Sequence, residues 1–332
     1  KEQKEIITKD QKRSIELDKI LSNLKSKVKF FWEEDFRKDL FLSNYPVGVL
    51  FYDGNWDLLR SNYKKIAIVG SRKPEPKTIK FINDFFNKYG DLLRDFVIVS
   101  GLASGVDSLV HKYSIENNIK TIAVLGNGIF YYYPFFNRNL QLKIAQTGLL
   151  ISEYPDFEKP KKYYFPYRNR IIALISDVVI VIQAGEKSGS LVTGNYALEF
   201  GKELIIPFLD FGYSFKGSKY LINSGGKLVS SCEELMELIY SYFYKNYRTS
   251  SILNDDKEIS AFNSVINENS KLENYVISIL KESNELTLDE INQKIQEKYS
   301  EYIDINELIA TLTKLELTGK IENKYGSIYK LC

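Results

Sequence analysis

The chain has 332 residues, which points to two or three domains rather than one small core. Its 44% hydrophobic and 27% charged content excludes a disordered chain, and a net charge of +2, from 45 basic and 43 acidic residues, confines any polyanion site to a local patch. One histidine (His111) and two cysteines (Cys232, Cys332) leave a disulfide framework, a zinc cluster and a Ser-His-Asp triad without their residues.

Residues 1–44 are polar, with apolar residues at helical spacing (Ile15, Ile20, Leu21, Leu24, Val28), and are expected to form a short N-terminal helical segment. From Tyr45 the pattern changes. A strand is expected in YPVGVLFYDGN, then in KIAIVGS (65–71), FVIVSG (96–101), TIAVLG (121–126), GLLISE (148–153), DVVIVIQ (177–183) and ELIIPF (203–208). These runs are rich in Val and Ile without alternation, as in parallel strands buried on both faces. Helices are expected between them over 76–89, 105–117, 137–146, 168–176 and 190–200. The alternation predicts an α/β fold over 45–247: a doubly wound, mostly parallel, extended Rossmann-like sheet. Residues 248–270 are polar and aperiodic and read as a linker. Three helical stretches and a hairpin-like tail over 271–332 make a winged-helix-like pattern, for which a three-helix bundle with a β-tail is the near equivalent. The longest apolar run, IIALISDVVIVIQA, carries Asp177, so no membrane span is expected. With no secretory segment, the compartment implied is the cytoplasm.

In an open parallel sheet, ligands bind beyond the carboxyl ends of the strands. Here those ends carry Gly70-Ser71-Arg72, then Ser100-Gly101 leading to Gly105, then Gly126, and lastly Lys187-Ser188-Gly189-Ser190. Small residues beside two helix starts, with a strand-end arginine, suit an anion. The dinucleotide fingerprint and the P-loop are both unmatched, so no cofactor is expected and a phosphodiester becomes the favoured ligand. The stretch KKYYFPYRNR (161–170) joins cations (Lys161, Lys162, Arg168, Arg170) to aromatic residues and to Asn169, with no acid, as a surface that tracks phosphates and stacks bases would. Arg168 and Arg170 are expected at a helix start, a place that calls for an acidic ligand or side chain to offset them. His111 follows Asp107 by four residues on a predicted helix, so a structural pairing of the two is expected.

The segments GSR (70–72), SGLASGVDSLVH (100–111), TIAVLGNGI (121–129), YYPFFNRNL (132–140), LLISEYP (149–155), FPYRNRIIALIS (165–176) and QAGEKSGSLVTGNYALEFGKELIIPF (183–208) together resemble the DprA/Smf family, and KGSKYLINSGG (216–226) continues the likeness. It covers residues 45 to about 240 in motif order. The resemblance implies an extended Rossmann-like domain that binds single-stranded DNA without base specificity, loads the RecA recombinase in natural transformation, acts as a homodimer and is not a catalyst. It also implies that Arg72 and Lys162 hold phosphates and that Phe165 walls a base pocket. Lys219 stands where the family pattern leads one to expect Asn. Two rivals remain at this point. One is a phosphoribohydrolase of the lysine-decarboxylase-like class acting on nucleoside monophosphates, whose P-G-G-x-G-T-x-x-E signature is absent here and whose Glu would be Glu199. The other is a sequence-specific transcription factor working through the C-terminal helices.

Overall fold

The computed structural model describes residues 24–209, 212–245, 272–283, 285–299, 303, 305–317, 320–324 and 328–331. It divides into two compact units, one holding the chain up to Lys73 together with Gly90–Asp177, the other Pro74–Tyr89 together with Val178 onward.

The first unit contains β1 (Lys27–Phe30), α1 (Lys38–Leu42), β2 (Val49–Gly54), β3 (Lys64–Gly70), and, after helix α2 (Pro76–Leu93), β4 (Phe96–Ser100), α3 (Val106–Glu116), β5 (Lys120–Leu125), α4 (Arg138–Thr147), β6 (Leu149–Ser152) and α5 (Tyr164–Ile175). Its strands lie in the order β1-β2-β6-β5-β4-β3. The four from β6 to β3 are parallel, with Ile66 opposite Ile98, Ile98 opposite Thr121 and Ala123 opposite Leu150. All five residues of β4 are buried, so both of its faces are covered, as its unalternated sequence requires. Strands β2 and β1 close this edge in antiparallel fashion.

The N-terminal expectation needs correction. Residues 1–23 lie outside the described residues, and of the remainder only α1 is helical. KVKF (27–30) alternates cation and apolar residue and forms β1, with Val28 opposite Phe51 and packed on the core cluster of Phe51, Leu125 and Leu150. A period of two overrides the helical spacing because an open strand edge at β2 offers it hydrogen-bonding partners.

In the second unit, β7 (Val178–Ile182), β8 (Glu203–Pro207) and β9 (Lys227–Val229) run parallel, separated in sequence by α6 (Gly189–Glu199) and α7 (Lys216–Asn223) and followed by α8 (Cys232–Lys245). Residues 248–270 are outside the described residues. Beyond them come α9 (272–282), β10 (Leu286–Thr287), α10 (Leu288–Tyr299), α11 (Ile305–Leu317) and the strands β11 (Ile321–Lys324) and β12 (Ile328–Leu331). The three strands pair antiparallel in the order β10-β12-β11, and the helices enclose a separate core that includes Val276, Ile291, Ile295, Leu308 and Leu312. No described helix is long and apolar enough to cross a membrane.

Candidate functional site

The loops that follow β3, β4 and β5 in the first unit converge on a pocket of about 50 Å³. Arg72 contributes from the first loop, Gly101 to Ser104 from the second, Leu125 to Asn127 from the third, and Tyr133, Pro134 and Phe165 complete the wall. The pocket is small and open to solvent, and an arginine and an aromatic ring stand on its wall.

Phe165, in the first turn of α5, is half-buried, and its ring lies 5.5 Å from the Arg72 guanidinium and 5.5 Å from the Tyr133 ring at 36°. Gly126 makes that position possible: a Cβ there would stand 2.7 Å from Phe165 Cδ1. Arg72 is exposed and has no acidic partner among the described residues, so its charge and its fork of donors face solvent beside an aromatic ring.

The scaffold under the pocket is a buried knot of charge. Arg168 is 4% exposed, and its Nη1 donates to Gly101 O at 2.8 Å and to Val124 O, while Nε donates to Asn169 Oδ1 at 3.0 Å. It therefore ties α5 to the ends of β4 and β5. Burial lowers its pKa to about 10; Asp107 works against that shift and Arg72 adds to it. Burial conversely raises the Asp107 carboxyl, while Arg168 and the backbone N–H groups of Ala103, Gly70 and Gly101 act to lower it. Gly105 caps α3 at φ +83°, a conformation a side chain resists, and lets Val106 N–H donate to Ser71 O at 3.0 Å. The start of α3 is thus already served by the protein's own oxygens, with Asp107 in its first turn. At the helix start where an anion was expected, the first N–H is therefore already taken, while Arg72 beside it remains exposed.

Several further expectations change. Ser100 is fully buried, its Oγ donating to Ile68 O at 2.6 Å, and so bridges two strands rather than facing a ligand. Arg168, Asn169 and Arg170 are all buried, and they lie well inside α5, which starts at Tyr164. Pro166 is tolerated in that first turn because the missing N–H would have no helical partner there. The Arg170 guanidinium donates to both Glu153 carboxylate oxygens at 2.6 Å and covers the Tyr167 ring at 3.7 Å. The offset these cations require therefore comes from acidic side chains, and direct contact with a ligand is not open to them. Lys161 is exposed but pairs with Glu158 at 2.7 Å and with the Tyr164 hydroxyl at 2.8 Å. Lys162, three residues before Phe165, is exposed and has no such partner among the described residues. His111 hydrogen-bonds Thr121 Oγ1 at 2.8 Å through Nδ1, and not Asp107.

Gly70 and Ser71 are half-buried at the end of β3, where Ser71 Oγ accepts from Lys73 N–H at 3.1 Å. Lys187 to Ser190 belong to the second unit. There Lys187 is exposed and Ser188 caps α6 by accepting from Leu191 N–H at 3.2 Å, with Ser190 Oγ 3.0 Å away. In the same unit Lys219 lies in helix α7, which docks through its neighbour: Ser218 Oγ accepts from Ala184 N–H at 2.9 Å, leaving Lys219 exposed. Tyr133 and Pro134 were not among the expected site residues, although the aromatic cluster YYYP directly after the β5 loop marks their place.

A family model described as DNA recombination-mediator protein A matches residues 27–240, beginning at β1. The DNA processing protein DprA of Streptococcus pneumoniae is 41% identical over 192 residues, 58% of this chain and 66% of that protein. That of Bacillus subtilis is 41% identical over 193 residues, 58% of this chain and 64% of the relative. The chain thus spans just under two thirds of the length of these relatives. The solved DNA processing protein A of S. pneumoniae superposes with a TM-score of 0.59 at 37% identity, over 64% of this chain and 74% of that one. The Helicobacter pylori protein, whose structure concerns its single-stranded DNA binding mode, gives a TM-score of 0.58 at 28% identity, over 66% and 98%. These matches identify the Rossmann-like α/β fold. Since the family model spans well over half of its residues, this chain belongs to the DNA recombination-mediator protein A family.

Proposed function

We propose that this protein binds single-stranded DNA without sequence preference, and that the pocket of the first unit is where it does so. The observation that carries the reading is the exposed Arg72 guanidinium, without an acidic partner among the described residues, set 5.5 Å from the ring of Phe165. A phosphate pairs with the guanidinium and a base stacks on the ring, the combination that sequence-independent single-strand binding uses. Lys162, exposed three residues before Phe165, supplies a second phosphate contact. Family membership supports the rest of the reading: loading of the RecA recombinase during natural transformation, a homodimeric state, a cytoplasmic location and no catalytic step. Three helices with an antiparallel three-stranded sheet over 272–331 support a C-terminal winged helix. The phosphoribohydrolase alternative is not favoured by the family match.

The test is fluorescence anisotropy with an oligothymidylate and a duplex of equal length. Preference for the single strand is expected, with Phe165→Ala weakening binding by about 1–3 kcal/mol. Arg72→Ala and Lys162→Ala should each weaken it and lower the log–log salt slope by about 0.7, the share of one single-strand phosphate. Unchanged affinity in all three folded variants would remove the site.

A further inference from the structure

Beyond Pro134 the chain enters a 3-10 turn, Phe135–Asn137, whose two phenylalanines are 75% and 72% exposed. The turn is firmly held. Asn137 is buried and its Nδ2 donates at 3.0 Å to the carbonyl of Leu102, itself a wall of the pocket. Buried Gln141 donates to Ile129 O at 2.6 Å, and buried Asn127 to Gly128 O at 3.0 Å, so the loop is anchored on both sides of the exposed rings. With its ends fixed in this way, the turn keeps the two rings in solvent.

The surroundings select the occupant. Along the sequence no acidic residue occurs from Thr121 to Ser152. The two carboxylates of the segment bonded to this loop are engaged, Asp156 by Ser26 N–H and Glu158 by Lys161. Arg138 follows the turn, exposed, with its guanidinium 5.1 Å over the Tyr132 ring. Tyr133 makes the surface continuous with the pocket, since it touches Phe165 and lies two residues from Phe135. Two residues of chain span at most about 7 Å, a step comparable to one nucleotide of an extended strand. We propose that Phe135 and Phe136 form a second stacking station for single-stranded DNA, taking the nucleotide next to the one held at Phe165, with Arg138 on the phosphate between them. The inference rests on the single-strand reading of the pocket and extends it from one nucleotide to at least two.

The experiment compares the full chain with Phe135→Ala/Phe136→Ala, Arg138→Ala and Phe165→Ala by anisotropy on an oligothymidylate across a salt series, with sedimentation velocity alongside. Both phenylalanines are exposed, so the double variant should fold as the parent does. It is expected to lose at least fivefold in affinity, the lower end of one stacked base, with its salt slope unchanged. Arg138→Ala should lower the slope by about 0.7. Affinity within twofold of the parent for the double variant, while Phe165→Ala still weakens binding, overturns the second station and leaves the pocket standing. Unchanged affinity in Phe165→Ala as well overturns both readings. A shift in sedimentation with unchanged DNA affinity assigns the rings to a contact between copies and also overturns the proposal.

Discussion

His111 and Arg168 lie within range of one another's charge, and the fold treats them in opposite ways. Arg168 stays protonated because carbonyl oxygens and Asp107 surround it. His111 is fully buried, and burial together with the nearby Arg168 charge lowers its pKa to about 3. Thr121 Oγ1 donates to Ile98 O at 2.8 Å, so it accepts from an Nδ1–H of the neutral ring. A histidine whose folded pKa is depressed binds its proton only in the unfolded chain. Its stabilising contribution is whole above about pH 6.5 and is lost as the pH falls toward 3, at about 2 kcal/mol between pH 6.5 and 5. Since it is the only histidine, no other side chain has its ordinary pKa in that interval. His111→Asn, which keeps a donor near the Nδ1 position, should flatten the dependence of unfolding free energy on pH over this range, measured by urea denaturation. Comparing the two chains isolates the imidazole from Asp107, whose raised carboxyl acts in the opposite direction. A parent chain equally stable at pH 6.5 and 5, with the variant no different, would show that His111 carries no such linkage.

Helix α5 shows at the scale of an element how one sequence stretch serves two purposes. Its first turn offers Phe165 to the pocket, and its middle turns Arg168 and Arg170 inward onto carbonyl oxygens and Glu153. Composition marks KKYYFPYRNR as cationic and aromatic, but a charge does not reveal which way it faces. The same holds for Lys65, which begins an apolar run and yet is 1% exposed, its Nζ donating to Tyr63 O at 2.8 Å. The strand runs from Ile66 to Ile206 were legible because burial on both faces leaves an unbroken Val/Ile signature. β1 was not, since four residues with two lysines match a helix face as well as a strand edge. That Arg72, Gly101 and Gly126 gather at one pocket was legible because close approach and strand ends limit what can stand there, whereas buried arginines are decided only by tertiary partners. Arg170→Ala should therefore cost about 3–5 kcal/mol of stability by leaving Glu153 unpaired. Arg170→Lys should recover only part of this, because an ammonium cannot make the two-pronged contact. Both losses are read from urea midpoints. Undiminished single-strand affinity is expected in whatever fraction remains folded; a fully folded Arg170→Ala that no longer bound would instead place Arg170 on the DNA.

At the scale of the whole molecule, a net charge of +2 from 45 basic and 43 acidic side chains means that the proposed single-strand binding cannot draw on a large overall positive charge. On the proposed reading, recognition rests on a few cations placed beside rings in the first unit, Arg72 beside Phe165 first among them. The C-terminal core is built on different residues: Val276, Ile291, Leu308 and Leu312 are completely buried within a cluster that runs from Leu272 to Ile321. The polar stretch 248–270 precedes it in sequence, and clusters with separate cores can lose their structure separately. Leu312→Ala in the full chain tests this division. Removing a fully buried leucine side chain costs about 2–5 kcal/mol, and that loss should fall on one of two denaturation transitions, followed by circular dichroism. The other transition and the affinity for an oligothymidylate should match the parent, because Arg72, Lys162 and Phe165 lie outside the damaged core. If the variant instead unfolded in a single earlier transition and bound more weakly in proportion, the C-terminal helices would be part of the same cooperative structure as the pocket. The proposed winged helix would then be a support for the binding site and not a separate module.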